Sequence, residues 1–200
     1  MIFDDNDYNI IMINIDDKKQ KIQNFLKDIN VFNYKINKDY TVDSLQSVKI
    51  DIPLKTLPIQ FDYVLGDFDI SNCGLYSLKG CPDVISGDFI CSSNILENLK
   101  FGPSDVTGKY DVRNCGLRNL YGSPRIINGD FICSYNSLEN LEGGPSTVNG
   151  SYLVDNCLLD SIKGSPKIIK GDFICSFNYL KNLKGGPSSV NGIYDCSNND

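Results

Sequence analysis

Seven glycines, Gly66, Gly87, Gly108, Gly129, Gly150, Gly171 and Gly192, stand 21 residues apart without an insertion. A fixed period near 20 residues is the mark of stacked coils. A single coil of this size cannot bury its own apolar side, so each depends on its neighbours. The period therefore selects a solenoid and argues against an enclosed catalytic pocket.

Taking the glycine as position one, position three is always aromatic, from Phe68 and Phe89 to Tyr194. Position five holds Ile70, Cys91, Val112, Cys133, Val154, Cys175 and Cys196. The alternation of these two with polar or variable residues is the period-two pattern of a strand with one buried face. Leucine fills position ten, leucine or isoleucine position thirteen, and valine or isoleucine position twenty. These columns predict one continuous core. Position eight alternates Cys73, Asn94, Cys115, Asn136, Cys157 and Asn178. An asparagine there has the reach to bond the backbone of a neighbouring coil, and a cysteine fills the slot as a small apolar group with a weak donor. Proline always stands at position seventeen and fixes an extended return, so no coil has room for an α-helix. Odd and even coils differ slightly, which gives a weaker 42-residue period and suggests duplication of a two-coil unit.

Phe89, Cys91, Asn94, Leu96 and Leu99 write F-x-C-x-x-N-x-L-x-x-L, which matches the leucine-rich repeat pattern. The fuller wording SLKGCPDVISGDFICSSN resembles leucine-rich-repeat-like proteins encoded by tailed bacteriophages, and the likeness covers residues 36–200. The expected fold is a β-rich solenoid, a leucine-rich-repeat-like right-handed coil with one parallel sheet. The resemblance implies a virion-associated or host-interaction protein, located in the virion or the host cytoplasm.

Leu54, Leu57 and Val64 fall at positions ten, thirteen and twenty of a coil starting near Leu45. Residues 45–65 thus read as a degenerate first coil with Val48–Ile52 as its strand, and full coils begin at residue 66. Upstream, Ile22, Phe25, Leu26 and Ile29 have helical spacing within Lys18–Asn30. Tyr34–Asn37 and Tyr40–Val42 read as a hairpin, and the apolar run Asn9–Ile15 as one more strand. Residues 1–44 are expected to form a small α/β cap over the edge of the first coil; the alternative is a separate interaction module. The sequence stops just past the strand of a seventh coil with no polar capping coil, so either the protein is longer or its open end meets a partner.

The net charge of −6 and pI near 4.7 disfavour nucleic-acid binding through phosphate neutralisation. No apolar run is long enough to span a membrane, and MIFDDNDY lacks the basic start of a signal peptide. Histidine is absent, so neither a Ser-His-Asp triad nor a Cys-His pair is available. The position-eight cysteines recur on alternate coils, about 10 Å apart at a strand spacing of about 4.8 Å. That exceeds the ~7 Å limit for bridging. No C-x-x-C occurs, so the eight cysteines read as reduced core residues in a reducing compartment, and no metal or cofactor is expected. The column Asp67, Asp88, Asp130 and Asp172 is interrupted by Lys109 and Ser151, and reads as a solvated charge row rather than a calcium ladder.

Position four is the candidate site. Strand alternation turns Ile90, Ile132, Leu153 and Ile174 outward as an aliphatic stripe, flanked by Ser92, Ser134, Asp155 and Ser176 and rimmed by Asp88, Asp130 and Asp172. It is either ordinary surface with β-propensity or a protein-binding stripe. The expected function is non-enzymatic: protein–protein interaction or structural scaffolding. The partner would be a protein, a virion protein or another copy of this chain. The alternatives are pure structural stacking, or a targeting arm of a phage effector or enzyme whose active domain lies outside residues 1–200.

Overall fold

A computed structural model describes residues 5–199, with side chains described from residue 16 onward. Every full coil contributes a two-residue strand at positions three and four and another at positions nineteen and twenty. The first set stacks in parallel into an eight-stranded ladder running from Val48–Lys49 to Tyr194–Asp195. The second set forms a four-stranded ladder on the return side and, extended by two strands from upstream of the coils, a five-stranded one. The β-solenoid of parallel ladders agrees with the repeat, but the expectation of one sheet is corrected. Proline at position seventeen ends the turn, and the valine or isoleucine after it pairs with its equivalent in the next coil.

The glycine column is explained by contact. The N–H of Gly108 donates to the carbonyl of Gly87 at 2.9 Å, and Gly129, Gly150, Gly171 and Gly192 repeat the bond at 2.9–3.1 Å. A Cβ on Gly129 would lie 2.6 Å from the carbonyl carbon and oxygen of Gly108. No side chain fits between coils that approach so closely.

Between the ladders lies one core. The position-three rings form a continuous row from Phe68 to Tyr194, with Phe61 of the return side set edge-on against the first, and neighbouring centroids are 4.7–6.4 Å apart. Leu75, Leu117, Leu138 and Leu159 at position ten are fully buried, as are Leu78, Leu99, Leu120, Leu141 and Ile162 at position thirteen. Leu183 departs from its column and is 45% exposed, because it stands at the outer face of the last rung.

Position eight ties the coils together. Asn136 Oδ1 accepts the N–H groups of Cys115 and Leu117, both at 3.0 Å. Its Nδ2 donates to Val112 O at 3.0 Å and Cys133 O at 2.7 Å. Asn178 does the same one unit further on. The cysteines are half-substitutes: Cys115 Sγ donates to Cys91 O and Cys157 Sγ to Cys133 O, each at 3.1 Å. A thiol offers no comparable acceptor, so the cysteine coils take their missing partner from the asparagine coil above.

A second alternation reinforces the 42-residue unit. Gly102, Gly144 and Gly186 at position sixteen are followed by Tyr110, Tyr152 and Tyr194, whose Oη atoms lie 2.9–3.3 Å from where a Cβ on each glycine would sit. Cys81, Ser123 and Ser165 at the same position are followed by Phe89, Phe131 and Phe173. A tyrosine hydroxyl and a side chain at position sixteen compete for one space.

Residues 45–65 stack against the first full coil with a contraction. Val48 pairs with Phe68, 20 residues on, whereas Val64 pairs with Ile85 at the usual 21. One residue is missing from the turn after the strand, and that strand is Val48–Lys49 rather than Val48–Ile52. Upstream, helix α1 spans Asp5–Asp28 and buries Ile22 and Leu26, with Ile29 just beyond it. It also takes in Asn9–Ile15, so the strand expected there is corrected to helix; its asparagine-, isoleucine- and methionine-rich sequence carries no turn signal that would separate it from the amphipathic stretch. Tyr34–Ile36 pairs with Val42–Ser44 in a hairpin, so the second strand is corrected from Tyr40–Val42: Tyr40 lies in the turn, its N–H bonded to Asn37 O at 3.0 Å. Val42–Ser44 continues in parallel with Phe61–Val64, so the cap is joined to the return ladder rather than standing apart.

Asn136→Ala strands four buried backbone groups and should cost more than Leu138→Ala, itself expected to cost about 2–5 kcal/mol. Urea denaturation of both variants checks the order.

Candidate interaction surface

The position-four residues are held in register by the first ladder: Ile90 opposite Asp111, Asp111 opposite Ile132, Ile132 opposite Leu153, Leu153 opposite Ile174, and Ile174 opposite Asp195. The four aliphatics are half-buried and share one column. Three of them, Ile132, Leu153 and Ile174, are contiguous. Asp111 separates Ile90 from the rest and is 3% exposed, covered by Arg113, whose Nε donates to both carboxylate oxygens at 3.0 Å. That hydrogen bond also pushes the Arg113 guanidinium further towards its charged form.

The flanks differ from expectation. Ser134 and Ser176 are 5% and 4% exposed, not outward. The strand ends at position four, so alternation does not carry through to position six. The Ser134 hydroxyl instead donates to Asp155 Oδ1. The aspartates of position two stitch coils together: Asp88 Oδ1 accepts the N–H of Lys109 at 2.9 Å, Asp130 Oδ1 that of Ser151 at 2.7 Å, and Asp172 Oδ1 that of Ile193 at 2.8 Å. The second oxygen of Asp88 faces Lys109 Nζ at 3.2 Å. The acidic rim is therefore also an inter-coil clamp.

Other chemistry-bearing groups are turned inward. All eight cysteines are unpaired, and seven are buried. Burial pushes the Cys73 thiol up to about 11 and those of Cys157 and Cys175 up to about 12. Such thiols are poor nucleophiles near neutrality. Among the described residues no cluster of cysteine or acidic side chains is arranged to hold a metal ion, and no helix is long and apolar enough to cross a membrane. A cleft of about 560 Å³ lies between α1 and the first coils, floored by Ile22, Leu57 and Ile59. At its mouth Lys18 Nζ sits 4.2 Å above the Tyr40 ring, a cation–π contact.

One surface escaped the sequence reading. Position seven is left-handed in every coil from Gly66 onward, with φ of 54–59° at Asn72, Ser93, Asn114, Tyr135, Asn156, Phe177 and Asn198. Asparagine and glycine visit this region at low cost, whereas other L-residues lose roughly 1–2 kcal/mol there. Tyr135 and Phe177 are nevertheless 58% and 57% exposed. Leu158, with φ of 66°, occupies position nine, where Gly74 and Gly116 stand in the equivalent coils. It is 51% exposed, and Tyr179 beside it 54%. The signal available in the sequence was the break in the Asn and Gly columns at these coils.

No family model, curated protein or solved structure matches the chain.

Tyr110 and Tyr152 Oη are buried and have no hydrogen-bond partner among the described residues. Tyr152→Phe is therefore expected to leave stability unchanged or raise it by up to about 1 kcal/mol, measured by thermal melting. Stability should also depend on alkaline pH. The folded state holds the neutral thiols of Cys73, Cys157 and Cys175 above their unfolded value of about 8.5. Their contribution is complete below that pH and is lost as pH rises towards about 12. Urea midpoints should hold steady from neutrality to about pH 8.5 and fall progressively above it.

Proposed function

We propose that this chain is a non-enzymatic interaction solenoid that holds a protein partner along its first ladder. The contact centres on Ile132, Leu153 and Ile174, with Ile90 beyond the Arg113–Asp111 pair and Asp88, Asp130 and Asp172 at the rim. The observation that carries this reading is the aliphatic column itself: three contiguous coils present half-buried aliphatics in register, beside serines already packed inside. Covering them would gain about 25 cal/mol per Å² of apolar area. The acidic rim favours a partner carrying Lys or Arg. The engaged state of the aspartates, asparagines and cysteines supports a binding role over catalysis, since each already serves the stacking of coils. The likeness of the repeat to tailed-bacteriophage proteins supports a virion-associated or host-contact setting, with a virion protein, a host protein or a second copy as partner.

Ile132→Asp and Ile174→Asp test this. Each variant is first checked for a cooperative melt. Affinity capture from phage-infected and uninfected host lysates should then recover the partner with wild type and lose it by more than about tenfold with the variants. Equal recovery would reduce the stripe to ordinary surface.

A further inference from the structure

The turn that follows the first ladder carries a second exposed surface, distinct from the stripe. In the first three coils its left-handed positions hold Asn72, Gly74, Ser93, Asn114 and Gly116. In the fourth to sixth coils Asn156 keeps the asparagine, but the other left-handed positions hold Tyr135, Leu158 and Phe177, and Tyr179 stands two residues beyond Phe177. Each of the four is more than half exposed. The choice is unfavourable twice over, in backbone strain and in apolar surface left to water. The fold does not require it, because other coils of the same chain build the same turn from asparagine, serine or glycine. Strain kept at an exposed aromatic cluster points to a ligand.

The spacing identifies the kind of ligand. Tyr135 and Phe177 share a column two coils apart, and a coil spacing of about 4.8 Å places them about 9.6 Å apart along the axis. A polyproline II helix repeats every three residues at about 3.1 Å each, or about 9.3 Å per turn. A peptide lying along the solenoid axis would thus set residues i and i+3 on Tyr135 and Phe177 in turn. Proline-rich segments are recognised on aromatic surfaces of this kind, with little loss of entropy because the peptide is already extended. Asn156 lies between the two rings in the same column, and its Nδ2 donates to Asp155 Oδ2 at 3.0 Å. The surrounding charge is acidic at one end. Asp155 borders the column, and Glu139 and Asp160, both exposed, follow on the fourth and fifth coils. Neither Glu139 nor Asp160 takes part in an ion pair among the described residues. Lys181 takes the equivalent place on the sixth coil, so a basic residue of the peptide belongs over the fourth and fifth.

We propose that Tyr135, Leu158, Phe177 and Tyr179 form a binding strip for a proline-rich, polyproline II segment of a partner protein. The prolines sit on Tyr135 and Phe177, and a flanking Arg or Lys faces Glu139 and Asp160.

The probe is a fluorescein-labelled synthetic peptide with repeated Pro-x-x-Pro spacing and a terminal Arg, titrated with the full chain and followed by anisotropy. A control peptide carries glycine in place of each proline. Wild type should bind the first peptide saturably and the control at least about tenfold more weakly. Tyr135→Asn and Phe177→Asn restore the residue type that the other coils use, so both should melt no lower than wild type while losing the peptide by about tenfold or more. Glu139→Lys combined with Asp160→Lys should weaken it, and more so at low salt. No saturable binding by wild type, equal binding of the glycine control, or equal binding by both asparagine variants would each overturn the proposal. So would self-association of wild type in sedimentation that the asparagine variants abolish, which would make the strip a contact between copies. Saturable binding of soluble oligosaccharides in place of the peptide would likewise overturn it. None of these outcomes bears on the aliphatic stripe, which is tested by its own variants.

Discussion

The backbone of one coil rests directly on the backbone of the next at the glycine column, and the rest of the structure depends on that contact. Gly129 on Gly108, and Gly150 on Gly129, leave no volume for a Cβ. The close approach sets the rise of the stack, and the rise sets everything that repeats along it. Position-three rings stack at 4.7–6.4 Å because their coils are this near. The aspartates of position two reach the next N–H for the same reason.

Stacking solves burial but creates a polar problem. Two-residue strands leave most of each turn outside the ladders, and buried N–H and C=O groups there still need partners. Asn136 and Asn178 each satisfy four of them from a single buried amide. The cysteine coils supply only the donor half. Alternation of the two types is therefore a division of labour, and the exchange between tyrosine hydroxyl and position-sixteen side chain follows the same two-coil beat. Point changes within one coil act on its neighbour, which is the nearest-neighbour coupling expected of a solenoid.

What remains outside this network is informative about function. Thiols, amides and most position-two carboxylates are engaged in holding coils together. Two apolar sets are among the groups without such employment: the half-buried column of Ile132, Leu153 and Ile174, and the exposed strip at Tyr135, Leu158, Phe177 and Tyr179. Both run along the axis, because any column in a solenoid does. A partner that is itself extended would meet several coils with one contact type.

Much of this was legible in the sequence. A strict 21-residue period by itself assigns residues to columns, since equal spacing in a regular stack means equal surroundings. The solenoid, its apolar core and the asparagine bonds all follow from that. The period is silent about the cross-section of the coil. Whether the return segment forms its own ladder, where the first strand stops, and how α1 and the hairpin join the first coil are decided by packing between distant segments. Ser134 illustrates the limit: alternation places it outside, but the strand ends two residues earlier and the turn carries it in. Tyr135 and Phe177 illustrate it from the other side. Their identities were visible, but that they stand on left-handed backbone with their rings in water depends on the three-dimensional course of the turn.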